Sequence, residues 1–294
     1  LFKIDQHIVK GGKAIFLIDP MRVNLDSIGE EGTYSFPQEL GVIDMFFKYG
    51  IRFNNDLIQD FYSALLPMVT GYMGEKPQTQ LMPWRFYPVV NNFSDHPITK
   101  SLGPVVTKFV SSMDTVKAKG IKKTPLLFTS KNSRIFAAPV RVNFNDARLD
   151  LDPGIFTKGP LPVGYLLEGQ FESMFKNRLD ESTKEKFNYK EKADSPSKVV
   201  VFSDGDIARN DVSPKRDKIL PLGYDRYTRI TFSNRDLLMN TVDYLIDDSG
   251  LMQARTKKVE LRPLDKEIVK RDRTKWQLIN ILIHNHDHYQ IKFI

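Results

Sequence analysis

The feature that most constrains the fold is an apolar run, Val-Val-Val-Phe at residues 199–202, that ends abruptly in a polar loop. Four apolar, mostly β-branched residues are typical of a strand buried on both faces. The loop that follows carries Asp204, Asp206, Arg209 and Asp211. Open α/β sheets place ligand groups at the carboxyl ends of their strands, so the loop predicts a ligand site. Asp-Gly turn chemistry favours the other interpretation, in which the same residues form a polar loop that caps a core strand.

Patterns typical of strands and helices alternate along the chain. Residues 14–18 and 161–167 have the composition of buried strands, whereas 37–50 and 233–250 carry apolar residues at helical spacing. Pro37 suits the first turn of a helix, and Gly50 suits the residue after the last turn. Alternation of this kind is typical of an α/β fold with a mostly parallel sheet. The sequence therefore predicts an α/β protein with a mostly parallel sheet.

Two further stretches, residues 70–83 and 1–10, bear on the extent of the predicted sheet. Residues 70–83 are rich in Gly, Pro and Gln, which indicates an exposed excursion from the sheet. Residues 1–10 have helical spacing and lead directly into the strand at 14–18, so we expect at least one strand of the same sheet upstream of residue 1.

Composition limits the functions that the chain can have. The 294 residues contain no cysteine, which excludes disulfides, thiolate metal sites and a cysteine nucleophile. The net charge of +7 is concentrated in residues 251–276, where nine lysines and arginines face four acids. The remainder is nearly neutral, so a nucleic-acid partner is not predicted. No apolar run is long enough to cross a bilayer. We expect an α/β domain over 1–250, a basic linker over 251–276 and a tail over 277–294.

Motifs for several enzyme classes are absent or incomplete. Glycine-rich phosphate loops do not occur, which argues against an ATPase or a dinucleotide-binding enzyme. Asp204 and Asp206 have the spacing of an aspartate-nucleophile phosphohydrolase, but Ala208 stands where Thr or Val is expected. Ser203 lacks the first glycine of a nucleophile elbow. A metal-dependent phosphohydrolase remains an alternative.

Histidines add little to these motifs. In the body of the chain only His7 and His96 could serve as bases, and lone histidines are usually structural. The stretch 284–288 (His-Asn-His-Asp-His) has metal-ligand chemistry, but such clusters near a chain end do not by themselves define a site, and no metal or cofactor is predicted.

The chain resembles a known family over nearly its whole length. The agreement is found in the stretches 11–13, 96–99, 126–130, 167–171, 202–206, 234–240, 244–251, 262–265 and 275–280. These segments resemble the GldG family, the gliding-motility-associated auxiliary components of Bacteroidetes ABC transporters. The similarity lies in the order and number of the segments, since no single motif is decisive.

The resemblance implies a membrane-anchored protein whose soluble domain faces the periplasm and works beside a permease and an ATPase. It also implies a flavodoxin-like fold similar to class I glutamine amidotransferases and to a domain of intraflagellar-transport proteins. Amidotransferases of that class need a cysteine nucleophile, so that activity is excluded here. In the family, the stretch that corresponds to residues 276–283 leads into a membrane helix, whereas polar residues follow in this chain.

The resulting hypothesis is a non-enzymatic periplasmic auxiliary subunit of an ABC transporter used in gliding motility, which acts by binding a partner or ligand. A glycan- or small-ligand-binding module is the second hypothesis. Asp19, Glu168 and Asp204 each follow or end a predicted strand, so we expect them to converge on one cavity. The predicted ligand-binding residues are Asp19, Glu168, Ser203, Asp204, Asp206 and Arg209.

Overall fold

The computed structural model describes residues 1–149, 151–213, 218–247 and 249–250, which fall within the compact unit Leu1–Thr256. The predicted linker and tail, 251–276 and 277–294, lie outside the described residues. The helices are α1 (Phe2–Val9), α2 (Val42–Tyr49), α3 (Glu181–Lys186) and α4 (Asn234–Ile246). The strands are β1 (Ala14–Leu17), β2 (Met21–Arg22), β3 (Thr33–Pro37), β4 (Ile51–Phe53), β5 (Asp56–Asp60), β6 (Ser63–Met73), β7 (Lys76–Val90), β8 (Asn92–Phe93), β9 (Val105–Val106), β10 (Met113–Thr115), β11 (Ile121–Phe128), β12 (Ser133–Ala137), β13 (Val140–Val142), β14 (Pro162–Gly169), β15 (Ser197–Phe202), β16 (Val212–Ser213) and β17 (Lys218–Ile219).

The central sheet contains the apolar run with which the sequence analysis began. Its order is β1-β15-β14-β11-β8, and β15 lies in its interior. Strand β1 pairs parallel with β15, with Ala14 opposite Val199. Strand β14 pairs antiparallel with β15, and β11 pairs antiparallel with both β14 and β8. Among the described strands, one pairing of this sheet is therefore parallel.

The prediction of a mostly parallel, flavodoxin-like sheet is wrong. The structure is rich in strands, and most of its pairings are antiparallel. Neighbours in an antiparallel sheet that is covered on both faces bury the same apolar residues as neighbours in a parallel one. The composition of β14 and β15 therefore predicts their burial but carries no information on their relative direction.

Helices cover both faces of the central sheet. On one face, α1 and α2 pack against Val199 and Val201. On the other face, α4 packs against Val200 and Phe202. Alternate residues of β15 thus belong to two different apolar clusters, as expected for a strand with side chains of period two. Within the described ranges, no helix combines the length and apolarity needed to span a bilayer.

A third apolar cluster lies in a β-rich region formed largely by β5, β6, β7 and β13. Trp84 and Phe86 of β7 are buried at its centre. The segment 70–83, predicted as an exposed excursion, forms the far part of the β6–β7 hairpin. Pro37 ends β3 opposite Met21 and does not begin a helix, because α2 starts five residues later at Val42.

A buried carboxylate fixes α1 to the rest of the fold. Asp5 is 0% exposed. Its side chain accepts hydrogen bonds from Tyr49 Oη (3.1 Å), Ser173 Oγ (2.6 Å) and the Met174 backbone N–H (2.9 Å). A buried charge is tolerated when hydrogen bonds replace its hydration. Asp5 therefore joins α1, α2 and the loop after β14.

Candidate functional site: a cleft beside the loop after β15

The loop after β15 lies next to the residues that follow β1, because these two strands run parallel. The backbone N–H of Gly205 donates to Asp19 Oδ1 at 2.7 Å. Burial raises the pKa of Asp19, and the negative charge of Asp206 raises it further. A short 3₁₀ helix, Asp206–Ala208, then turns the chain toward the surface. The parallel pair therefore places Asp19, Asp204 and Asp206 at one edge of the sheet.

Asp204 is enclosed by the protein, with 1% of its surface exposed. Its Oδ2 accepts from the Lys108 backbone N–H and its Oδ1 from the Asp206 backbone N–H, both at 2.7 Å. Burial raises the pKa of Asp204 well above its usual range, although the bond from Lys108 opposes this effect. The charges of Asp19 and Asp206 raise it further. With both oxygens held by backbone donors, Asp204 is not presented to an external substrate.

Ser203 is also buried and engaged within the fold. Its Oγ donates to the Ser111 carbonyl at 2.6 Å and lies 3.3 Å from the Val163 carbonyl. These contacts tie the end of β15 to the segment before β10 and to β14. Ser203 and Asp204 therefore shape the loop, whereas the residues that reach the surface come after them.

A cleft of about 350 Å³ opens beside this loop. Asp206 and Arg209 line it as an ion pair, with Asp206 Oδ1 and Arg209 Nη1 3.1 Å apart. Lys108 and Asp211 form a second pair at 3.5 Å. The lining also includes the charged residues Asp26, Asp225 and Arg226 and the aromatic residues Tyr87, Tyr224, Tyr227 and Phe232. Both signs of charge are thus combined with aromatic rings in one concave surface.

Tyr87 is the most buried aromatic residue of the cleft lining, with 5% of its surface exposed. Burial raises the pKa of its hydroxyl, and the charges of Asp206, Asp204 and Asp211 raise it further. Lys108 Nζ lies 5.8 Å from the centre of the ring. A tyrosine hydroxyl in the wall of a cleft can donate a hydrogen bond to a ligand or accept one from it.

Polar contacts hold the walls of the cleft in place. Asn234, at the start of α4, accepts from the Val106 N–H at 3.1 Å and donates to the Val106 carbonyl at 2.9 Å. Asp225 accepts from the N–H groups of Tyr227 (3.0 Å) and Thr228 (3.3 Å) and so closes the turn that carries Tyr227. Arg226 Nη2 donates to Tyr227 Oη at 2.6 Å. These contacts fix the positions of Asn234 and Tyr227 in the cleft lining.

Glu168 lies at the opposite edge of the sheet from Asp204. Because β14 runs antiparallel to β15, Glu168 stands beside Lys198, near the start of β15. Lys122 of β11 is its neighbour on the other side. Tyr244 Oη donates to Glu168 Oε1 at 2.9 Å. The structure therefore brings Asp19, Ser203, Asp204, Asp206 and Arg209 together and places Glu168 elsewhere, in contact with α4.

The two histidines of the body are separate from the cleft lining. The His96 ring packs against Tyr244, with centroids 4.7 Å apart, and burial lowers its pKa. His7 lies 3.3 Å from the Lys13 carbonyl. Among the described residues, no group of three or more His, Asp and Glu side chains has the arrangement of a metal site. The histidine-rich stretch 284–288 lies outside the described residues.

Several cleft residues are not predicted from the sequence. Tyr87 lies in β7 and Lys108 follows β9, whereas Tyr227 and Phe232 precede α4. They are separated along the chain by more than the reach of any local motif. Asp225 followed by Tyr227 and Thr228 is a turn signal that sequence reading could have found. The convergence of these segments required the strand order.

Comparisons with known proteins give the chain a context. A family model described as an ABC-type uncharacterized transport system matches residues 1–241. A protein of Borreliella burgdorferi (strain ATCC 35210 / DSM 4680 / CIP 102532 / B31), named "Uncharacterized protein", is 26% identical over 187 residues, or 62% of this chain. The chain spans 35% of the length of that relative. No solved structure matches the chain.

Proposed function

The chain belongs to the family described as an ABC-type uncharacterized transport system, and on that premise we propose that it is a non-catalytic auxiliary component that binds a small polar ligand in the cleft. The observation that carries the proposal is the cleft itself, in which two ion pairs and four aromatic residues line one concave surface. Binding without turnover agrees with the enclosed state of Asp204 and with the lack of cysteine.

The chemistry of the cleft favours an uncharged ligand that is rich in hydroxyl groups. The pairs Asp206–Arg209 and Lys108–Asp211 offer acceptors and donors side by side, so neither sign of ligand charge is selected. Hydroxyl groups can donate to carboxylates and accept from basic side chains at the same time. Tyr224 and Tyr227 also line the cleft, and aromatic side chains combine an apolar ring with a polar hydroxyl, which suits contact with a sugar. A glycan or a related polyol is therefore the ligand class proposed.

Ligand binding can be tested by isothermal titration calorimetry. The probes are neutral mono- and disaccharides, with acidic sugars, amino acids and inorganic phosphate as competing classes. Tyr87→Phe removes one hydroxyl from the cleft and should weaken binding of a neutral saccharide by about 5- to 10-fold, the effect of one hydrogen bond. Tyr244→Phe is the matched control at the opposite edge of the sheet and should leave the affinity unchanged. Equal affinities of the wild type and Tyr87→Phe would reject the cleft as the binding site.

The sequence resemblance supports a more specific proposal for the transport role. We propose that the domain works at the periplasmic face of the inner membrane with a permease and an ATPase, and that the complex supports gliding motility. Affinity purification of the tagged full-length protein in mild detergent should recover both subunits in defined ratio. Recovery of neither subunit, or normal gliding of a deletion strain of a gliding host, would contradict the corresponding part of this proposal.

A further inference from the structure

The β6–β7 hairpin forms a ribbon with two chemically different faces. Residues that stand directly opposite each other in an antiparallel pair share a face. The register places Pro67 opposite Leu81, Val69 opposite Thr79 and Tyr72 opposite Pro77. One face of the ribbon is therefore made of uncharged and mainly apolar side chains.

That apolar face is turned away from the protein core. On the other face, Leu66 and Met68 are buried in the β-rich cluster, with 7% and 6% exposed. The outward face carries Tyr72, which is 72% exposed, and Leu81, which is 40% exposed. Toward the tip the inward face becomes polar, with Gln78 opposite Gly71. Near the tip, therefore, apolar side chains lie on the outward face and polar ones on the inward face.

The ribbon also extends beyond the part of it that packs against the core. Residues 71–81 are exposed or half-buried throughout, although they are paired across the hairpin with a single register shift between Val69 and Gly71. A two-stranded hairpin without a packed face is only marginally stable in water. A ribbon with an uncharged, exposed face is suited to be covered by another molecule.

The size and charge of the face narrow the choice of that molecule. Two strands are about 10 Å wide, and eight residues extend about 26 Å, so the face covers roughly 250 Å². Stable association of two copies through one patch needs about 800 Å² from each partner. The face alone is therefore too small to hold a second copy, whereas a ribbon that enters a groove is contacted along its edges and tip as well and so buries more area. The six face residues include no Lys or Arg to bind phosphates or anionic lipid headgroups.

We propose that the β6–β7 ribbon is a docking arm whose partner is an uncharged, apolar groove on the membrane-embedded subunit of the transport system. The ribbon is continuous with the ligand cleft, because Leu65 of β6 and Tyr87 of β7 line that cleft. A subunit seated on the arm would thus lie along the same two strands that form the cleft wall. The identity of the partner rests on the proposed function, whereas the location of the docking surface rests on the two faces of the ribbon.

Two pairs of substitutions in the same ribbon test this inference. Tyr72→Asp with Leu81→Asp places charges on the apolar face, and Gln78→Asp with Gln80→Asp places the same charges on the opposite face. Binding of each full-length variant to the purified membrane subunit in nanodiscs is measured by biolayer interferometry, with empty nanodiscs as reference. The first pair should weaken binding by at least about tenfold, and the second should change it by less than about twofold. Melting temperatures establish that both variants fold.

Specific results would overturn the inference. Equal weakening by both pairs, or no effect of the first pair, would show that the apolar face does not carry the contact. Binding to empty nanodiscs that the first pair abolishes would assign the face to lipid, and self-association lost in sedimentation experiments would assign it to a second copy. A wild type that binds saccharide but not the membrane subunit would reject the docking arm and leave ligand binding intact. A wild type that binds the membrane subunit but not saccharide would reject ligand binding in the cleft and leave the docking arm intact.

Discussion

Lys108 and Asp204 connect the interior of the fold with the cleft. The backbone N–H of Lys108 donates to the buried Oδ2 of Asp204 at 2.7 Å, while its side chain lines the cleft and lies 3.5 Å from Asp211. One residue thus contributes its main chain to the core and its side chain to the candidate site. A substitution at Asp204 should therefore alter the position of Lys108 in the cleft, even though Asp204 itself is enclosed.

Asp204→Asn should alter how stability depends on pH. Burial raises the pKa of Asp204 above its ordinary value of 3.8, so the native state keeps a proton that the unfolded state loses. Stability from this group is present below pH 3.8 and is lost as pH rises through the native pKa. The asparagine variant cannot ionise and lacks this loss. Its free energy of unfolding, measured in urea from about pH 4 to about pH 8, should rise relative to that of the wild type.

An exposed acid provides the control for this pH series. Glu39→Gln removes one carboxylate from the surface and should run parallel to the wild type across the same range. If the difference in unfolding free energy between the wild type and Asp204→Asn stayed constant across this pH range, Asp204 would not take up a proton on folding.

Gly205→Ala should displace Asp19. The backbone of Gly205 has φ −75°, which suits any residue, so the effect is steric. A Cβ at this position would lie 2.5 Å from Asp19 Oδ2. We expect a loss of about 1–3 kcal/mol in the free energy of unfolding, as for other overpacked sites. Chemical denaturation measures this loss.

A double-mutant cycle gives the cause of that loss. In an Asp19→Ala background, Gly205→Ala should cost less, because the clashing carboxylate is absent. Gly29→Ala is the matched control, since a Cβ there meets nothing within 4 Å. Additive losses in the cycle would contradict the contact between these two residues.

The sequence predicts that β15 is buried and where it ends, but it does not predict the direction of the neighbouring strand β14. Val199 and Phe202 are buried as predicted, since a run of β-branched residues excludes an exposed strand. Glu168 lies near the end of an equally apolar strand, β14, yet is found at the opposite edge of the sheet from Asp204 because β14 runs antiparallel to β15. Strand direction depends on the connection of residues 170–196, whose charged composition is compatible with either arrangement.

The candidate site likewise contains residues that the sequence predicts and residues that it does not. Asp19, Asp204 and Asp206 are found together because one local rule, the carboxyl end of parallel strands, holds for β1 and β15. Tyr87 and Lys108 enter the cleft through the β-rich region, whose pairings join segments far apart in the chain. No composition signal near either residue marks it as part of a site. Their roles follow from tertiary contacts alone.

Glu168→Gln should leave ligand affinity unchanged while weakening the fold slightly. Glu168 accepts from Tyr244 Oη at 2.9 Å and stands between Lys122 and Lys198, away from the cleft. A neutral amide keeps one acceptor but loses the charge that faces the lysines. We expect a loss of about 0.5–1.5 kcal/mol in unfolding free energy. Calorimetry with a saccharide should give the wild-type affinity, whereas Asp206→Asn should weaken it.

Asp5→Ala should be among the more destabilising single substitutions in the described fold. The carboxylate is fully buried and accepts from Tyr49 Oη, Ser173 Oγ and the Met174 N–H. Its removal leaves these donors without an acceptor in a region that water does not reach. Since each hydrogen bond to a charged group contributes about 1.5–3 kcal/mol, we expect a loss of about 3 kcal/mol or more in unfolding free energy. Urea denaturation followed by circular dichroism measures it.

The cause of that loss can be separated from a general effect of removing an acid from a helix. Asp44→Ala removes an exposed acid from the first turn of α2 and should cost well under about 1 kcal/mol. Tyr49→Phe in the Asp5→Ala background should cost less than Tyr49→Phe alone, because the hydroxyl has already lost its acceptor. Asp5 holds α1 against both α2 and the loop after β14, so a loss as small as that of Asp44→Ala would mean that apolar packing alone fixes α1.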